Sequence, residues 1–120
     1  MPSPGTALSA LRLAVGVSAW TAPNATAKVF GLDPAANPQG AYLARLFGVR
    51  DIALAGFAQG ASPESKPLAW QLGIVSDLAD AAAAALGGRN GTLSKQTAVL
   101  AGGTALIAAA LGGAALNAGE

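Results

Sequence analysis

The sequence predicts an all-α protein, a four-helix transmembrane bundle with up-down-up-down order, built as a single domain over residues 1–120. Three observations lead there. Four apolar runs, at about 5–22, 41–60, 67–87 and 96–117, each approach the roughly 20 residues a helix needs to cross a bilayer. Only 11% of residues are charged against 52% hydrophobic, and mean hydropathy is +0.47; a soluble domain carries about a quarter charged residues. The connectors are rich in Pro, Asn and Gly, which stop helices.

The first segment holds Arg12 and Gly16 and ends near Trp20. Ala25-Thr26-Ala27 has the small-x-small pattern of a signal-peptide cleavage site, but no basic region precedes the segment and Arg12 lies within it, so a mature helix is expected. Pro23-Asn24, Asp33-Pro34 and Asn37-Pro38 fill the first connector, with Phe30-Gly31-Leu32 as an interfacial turn. The second segment begins beside Tyr42 and closes at Ser62-Pro63-Glu64. Pro67 suits the first turn of the third, which contains Trp70 and the run Ala81 to Ala85 and stops at Gly87-Gly88-Arg89-Asn90-Gly91. Ser94 is the expected N-cap of the fourth. From Gln96 to Gly119 there is no charge, and Thr104 is the one polar residue between Val99 and Leu116. An Ala-rich soluble bundle is the competing fold, but this segment has no polar face to offer water. Trp20, Tyr42 and Trp70 fall near segment ends, as an interfacial aromatic belt requires.

Composition removes several chemistries. Without Cys or His there is no disulfide, thiolate nucleophile, ordinary zinc site or His-based triad, and neither a metal nor a cofactor is expected. A net charge of +1 from scattered Lys and Arg provides no stripe for a phosphate backbone, so nucleic acid is not an expected partner. Gly87-Gly88-Arg89-Asn90-Gly91 lacks the Gly-Lys-Ser/Thr ending of a phosphate loop. The chain has 31 Ala, Gly56-x-x-x-Gly60, and Gly pairs at 102–103 and 112–113. In lipid such small residues let helices approach closely, within the chain or, through the Gly-rich fourth segment, against a second copy or another helix. Lys28, Arg89 and Lys95 lie on one side and Lys66 on the other, so the positive-inside rule places both termini outside the cytoplasm. Asn24-Ala25-Thr26 and Asn90-Gly91-Thr92 are glycosylation sequons on that cytoplasmic side and read as unused turn residues.

Arg12, Arg45, Arg50, Asp51, Asp77 and Asp80 fall inside the apolar segments. An isolated charge at mid-bilayer costs about 2.5–3.5 kcal/mol, so the six should pair or line a cavity. At roughly 1.5 Å per residue from the side holding both termini, Arg50 levels with Asp77, Arg45 with Asp80, and Arg12 with Asp51. At about 100° per residue, Asp77 and Asp80 share one face, whereas Arg45, Arg50 and Asp51 point to different neighbours. The second segment should then be the most enclosed.

Arg12 followed by Gly16, then Pro23, Phe30-Gly31-Leu32, Tyr42-Leu43-x-Arg45-Leu46-Phe47-Gly48-x-Arg50-Asp51, and Asp77-x-x-Asp80 resemble the small integral membrane family catalogued as domain of unknown function 4267. The resemblance covers nearly the whole chain and implies a four-helix membrane fold in the lipid bilayer, with no mechanism attached. Three functions fit the residues. The first is a structural or binding module whose Arg/Asp network sets helix packing. The second is an acid-base enzyme of isomerase or cyclase type on a hydrophobic small molecule, with one of Asp77 and Asp80 protonated and Arg50 or Arg12 steadying negative charge. The third is a small proton-coupled transporter, by analogy with small four-helix exporters, though those carry an acid in the first helix where this chain has Arg12. A lipid-accessible cavity reaching Asp77 would favour the enzyme, and a solidly packed centre would count against it.

Overall fold

The computed structural model describes all 120 residues as five α-helices and no strand. They are α1 (Pro4–Thr21), α2 (Pro23–Val29), α3 (Gly40–Gly60), α4 (Lys66–Asn90) and α5 (Lys95–Asn117). The four long helices match the four apolar runs to within a few residues. Ser3 caps α1 by accepting from the Thr6 amide at 3.2 Å, and Ser94 caps α5 by accepting from Thr97 at 3.1 Å.

Two elements differ from the sequence expectation. The stretch read as connector contains α2, because Pro23 at its start is preset for a helical first turn. Gly31, at φ 82°, then ends it: the Leu32 amide donates to Ala27 O at 3.0 Å and the Gly31 amide to Lys28 O at 2.9 Å, a Schellman closure. The second difference is that α4 runs through Gly87-Gly88 to Asn90. Those glycines make room for neighbours: a β-carbon at position 87 would sit 2.7 Å from Leu93 Cδ1, and one at 88 would sit 2.8 Å from Ala98 Cβ. The helix stops instead at Gly91, at φ 84°.

The long helices form a ring. α1 packs along α3, α4 packs along α5, and the two pairs meet through α1 with α5 and, more loosely, α3 with α4. α1 and α4 therefore face each other across the centre. One end is tied by residue 120: its side chain accepts from the Gly5 amide at 3.0 Å, and its backbone carbonyl from Trp70 Nε1 at 2.8 Å. Trp70 is consequently buried rather than part of an outward aromatic belt, whereas Trp20 and Tyr42 are exposed. α3 is not the most enclosed helix either, with four buried residues against six each in α1 and α4. It is tightly backed by α1 alone.

The α1–α3 contact is made backbone to backbone. A β-carbon at Gly16 would lie 2.7 Å from Gly48 O, and one at Gly48 would lie 2.6 Å from Gly16 O. Gly112 likewise admits Ile74, but Gly56, Gly60, Gly103 and Gly113 face no atom of the chain, so those glycines do not serve the internal packing expected of them.

The distribution of side chains is inverted relative to a water-soluble bundle. Leu8, Trp70 and eight alanines make up the hydrophobic interior, together with buried Arg12, Asp51 and Asp77. Leu13, Val17, Leu46, Val75, Leu78, Leu106 and Ile107 all point outward. Of the long helices, α5 alone is long and apolar enough to cross a membrane by length and composition; only 22% of its most apolar window is buried, so it is not a core helix. The expectation of four spans is thus met by hydropathy for one, because the charges inside α3 and α4, and Arg12 with the Pro, Ser and Thr residues of α1, lower theirs.

Candidate functional site

Five of the six expected residues converge at mid-depth, on three helices. From α1, Arg12 crosses the ring to Asp77 of α4 and donates through both arms, Nη1 to Oδ1 at 3.0 Å and Nη2 to Oδ2 at 2.7 Å. This fork-to-fork geometry is the strongest form of an Arg–carboxylate pair. Both side chains are almost fully buried. Arg50 of α3 makes the same two-armed contact with Asp80, one turn further along α4, with Nη1 to Oδ1 at 3.1 Å and a second, shorter bond from Nη2 to Oδ2. Its guanidinium lies 4.8 Å from the centre of the Phe47 ring, and its Nε is buried without a partner.

Asp51 stands between the two pairs. Its nearest cation is Arg12 Nη1 at 3.6 Å, followed by Arg50 Nη2 at 4.0 Å, and it makes no side-chain hydrogen bond although that side chain is only 8% exposed.

The depth-based pairing is therefore partly corrected. Arg12 is near Asp51 as expected, but its main partner is Asp77, and Arg50 belongs to Asp80. Arg45 leaves the cluster: it is exposed and its Nε donates to Trp20 O at 3.0 Å. Depth alone misassigns these partners because an Arg side chain spans more than a helical turn, so position around the ring decides. Asp77 and Asp80 do share a face of α4, but each is held by its own guanidinium.

Residues outside the expected set complete the site. Gly73 lies one turn before Asp77, and a β-carbon there would sit 2.7 Å from Arg12 Nη2. Its bare face is what allows the guanidinium to reach across. The only sequence signal is the Gly73-x-x-x-Asp77 spacing, which places both on one face.

Above the cluster, toward α2 and the 30–40 connector, lies a cavity of about 870 Å³. Leu11, Val15, Leu43, Phe47, Ala105 and Ala108 supply apolar wall, and Arg12, Asp51, Asp77 and Asp80 form its charged floor. Such a volume falls in the range of small-molecule pockets, about 300–1,000 Å³. Asp33 joins the lining near the connector, where its carboxylate accepts from the Ala35 amide at 3.1 Å. No three carboxylates are grouped so as to hold a metal ion. No family model, curated protein or solved structure matches the chain.

Proposed function

We propose that the chain is a small integral membrane binding module, in which α1, α3, α4 and α5 cross the bilayer and the Arg/Asp network both sets their packing and floors a pocket for a hydrophobic small molecule. The observation that carries this reading is the inversion of the side chains, with Arg12, Asp51 and Asp77 inside and Leu, Val and Ile outside. In water such a surface would be one extended sticky patch. In lipid it is the ordinary outer face, and charges turn to the bundle interior and pair there. Lengths agree: 18 to 25 residues give about 27–38 Å of helix against a hydrocarbon core of about 30 Å.

The network supports the module in a specific way. The α1/α3 and α4/α5 pairs share few close contacts beyond the α1–α5 seam, and Arg12–Asp77 and Arg50–Asp80 join them on the cavity side. The resemblance to domain of unknown function 4267 belongs to this same proposal.

The enzyme reading draws on the cavity, which does reach Asp77. It is weaker on chemistry, since both carboxylate oxygens of Asp77 and of Asp80 already accept from a guanidinium instead of facing a substrate.

Membrane extraction tests the proposal. The expressed chain should stay with the membrane pellet after alkaline carbonate and leave it only in detergent. Release by carbonate as a soluble, folded species would overturn the membrane reading.

A further inference from the structure

We propose that the cavity takes a lipophilic organic cation, an amphiphile whose protonated amine lies against Asp51; this rests on reading the chain as a membrane binding module. Two guanidiniums, Arg12 and Arg50, face three carboxylates, so one negative charge is left over at the floor. Arg12 is committed to Asp77 and Arg50 to Asp80, each through two hydrogen bonds. The surplus falls on Asp51.

Asp51 also has acceptor capacity to spare. Its side chain is more than nine-tenths buried, lines the cavity, and makes no hydrogen bond. A buried carboxylate ordinarily accepts several. Its closest cation, at 3.6 Å, lies beyond hydrogen-bond range, so its acceptor capacity opens toward the cavity.

The remaining lining selects the class of ligand. The charged groups around the cavity are one Arg and four Asp, with no Lys among them, and Arg45 is turned away to the Trp20 carbonyl. An acidic amphiphile would meet like charge at both floor and mouth, and would find Arg12 already occupied. A bare metal ion is not suited, because the carboxylates are not grouped to coordinate one. An ammonium on an apolar body matches both parts of the space: N–H donors for Asp51, and hydrocarbon for the Leu11, Val15, Leu43 and Phe47 wall.

The test uses one apolar cage carrying three head groups: 1-adamantylamine, 1-adamantanol and adamantane-1-carboxylate. Each is measured by equilibrium dialysis at neutral pH against the full chain in zwitterionic nanodiscs, with empty nanodiscs as the blank. The amine should bind at least about tenfold more tightly than the alcohol, and the carboxylate most weakly. Asp51→Asn should bring amine binding down to the level of the alcohol. If the alcohol binds and the amine binds no better, the cation assignment is overturned and the pocket stands. If none of the three binds above the blank, the pocket reading itself is overturned. The three-probe comparison is made on the wild-type chain, so its outcome does not depend on the variant folding.

Discussion

The Arg12–Asp77 pair allows a quantitative test of the network as scaffold. In Asp77→Asn, Arg12 loses its buried counter-charge and one of two charge-assisted bonds. Leaving a buried charge unpartnered costs about 3–5 kcal/mol in soluble proteins. Here the loss is cushioned, because Asp51 is only 3.6 Å from Arg12 Nη1 and can close on it. A destabilisation of about 1.5–3 kcal/mol is expected, the range for a charged hydrogen bond. Arg12→Gln alone should cost at least as much, since it strands Asp77 and deprives Asp51 of its nearest cation. In the double variant a Gln–Asn pair replaces the fork without net charge, and the coupling energy should be about 1–3 kcal/mol. The assay is unfolding in detergent micelles, followed by far-UV circular dichroism across a denaturant series. Arg45→Gln combined with Asp77→Asn is the control and should be additive within about 0.5 kcal/mol, because Arg45 contacts the Trp20 carbonyl and not the cluster. Additivity of Arg12→Gln with Asp77→Asn would refute the network as an energetic unit. Coupling to Arg45 instead would refute the observed register.

Further substitutions probe the supports of the site. Gly73→Val should destabilise the fold by about 1–3 kcal/mol through overpacking and should abolish most of the coupling between Arg12 and Asp77, measured in the same cycle, because a β-carbon there would lie 2.7 Å from Arg12 Nη2. Gly48→Val should be at least as damaging in thermal melts, since its β-carbon would meet the Gly16 carbonyl, a backbone atom that cannot rotate away; Gly56→Val, where nothing lies within 4 Å, is the matched control and should be near neutral. Trp70→Phe should cost about 0.5–1.5 kcal/mol by removing the Nε1 bond to the carbonyl of residue 120, and amide exchange should rise selectively in the last turn of α5.

The long helices were legible because their signals are local: an apolar run, Ser94 before it, Pro67 inside the first turn. α2 was not, because Pro23 reads equally as a stop and as a helix start, and the choice between them is made by Gly31 eight residues later and by packing on α1 and α3. Gly87-Gly88 misled for a related reason. Glycine at a helix end and glycine at a tight crossing look alike until Leu93 and Ala98 are seen to press on them.

Within the site, the identity of the cluster was readable from the incompatibility of charge with an apolar segment, and five of its six members come together. Who pairs with whom was not readable. That depends on which helices are neighbours, and α1 lying across from α4 is a property of the ring. Arg45 was misplaced because it sits at the surface end of its helix, where the Trp20 carbonyl is within reach. The cavity had no sequence signature, because its lining is drawn from all five helices and the 30–40 connector.

The inward-facing glycines and alanines carry a consequence for how this chain tolerates change. In a soluble bundle the large interior positions are the fragile ones and the surface absorbs substitution. Here the relation is reversed in size as well as polarity. Positions 16, 48, 73 and 112 have no room for an added methyl without displacing a neighbour, while Leu106 or Val75 on the outer face has room for any apolar shape. A saturation library should therefore show its sharpest penalties for gaining volume at the smallest residues. The outward helix faces should drift freely among Leu, Ile, Val and Phe, so divergence among homologues would collect on the greasy exterior and spare the narrow, nearly side-chain-free seams.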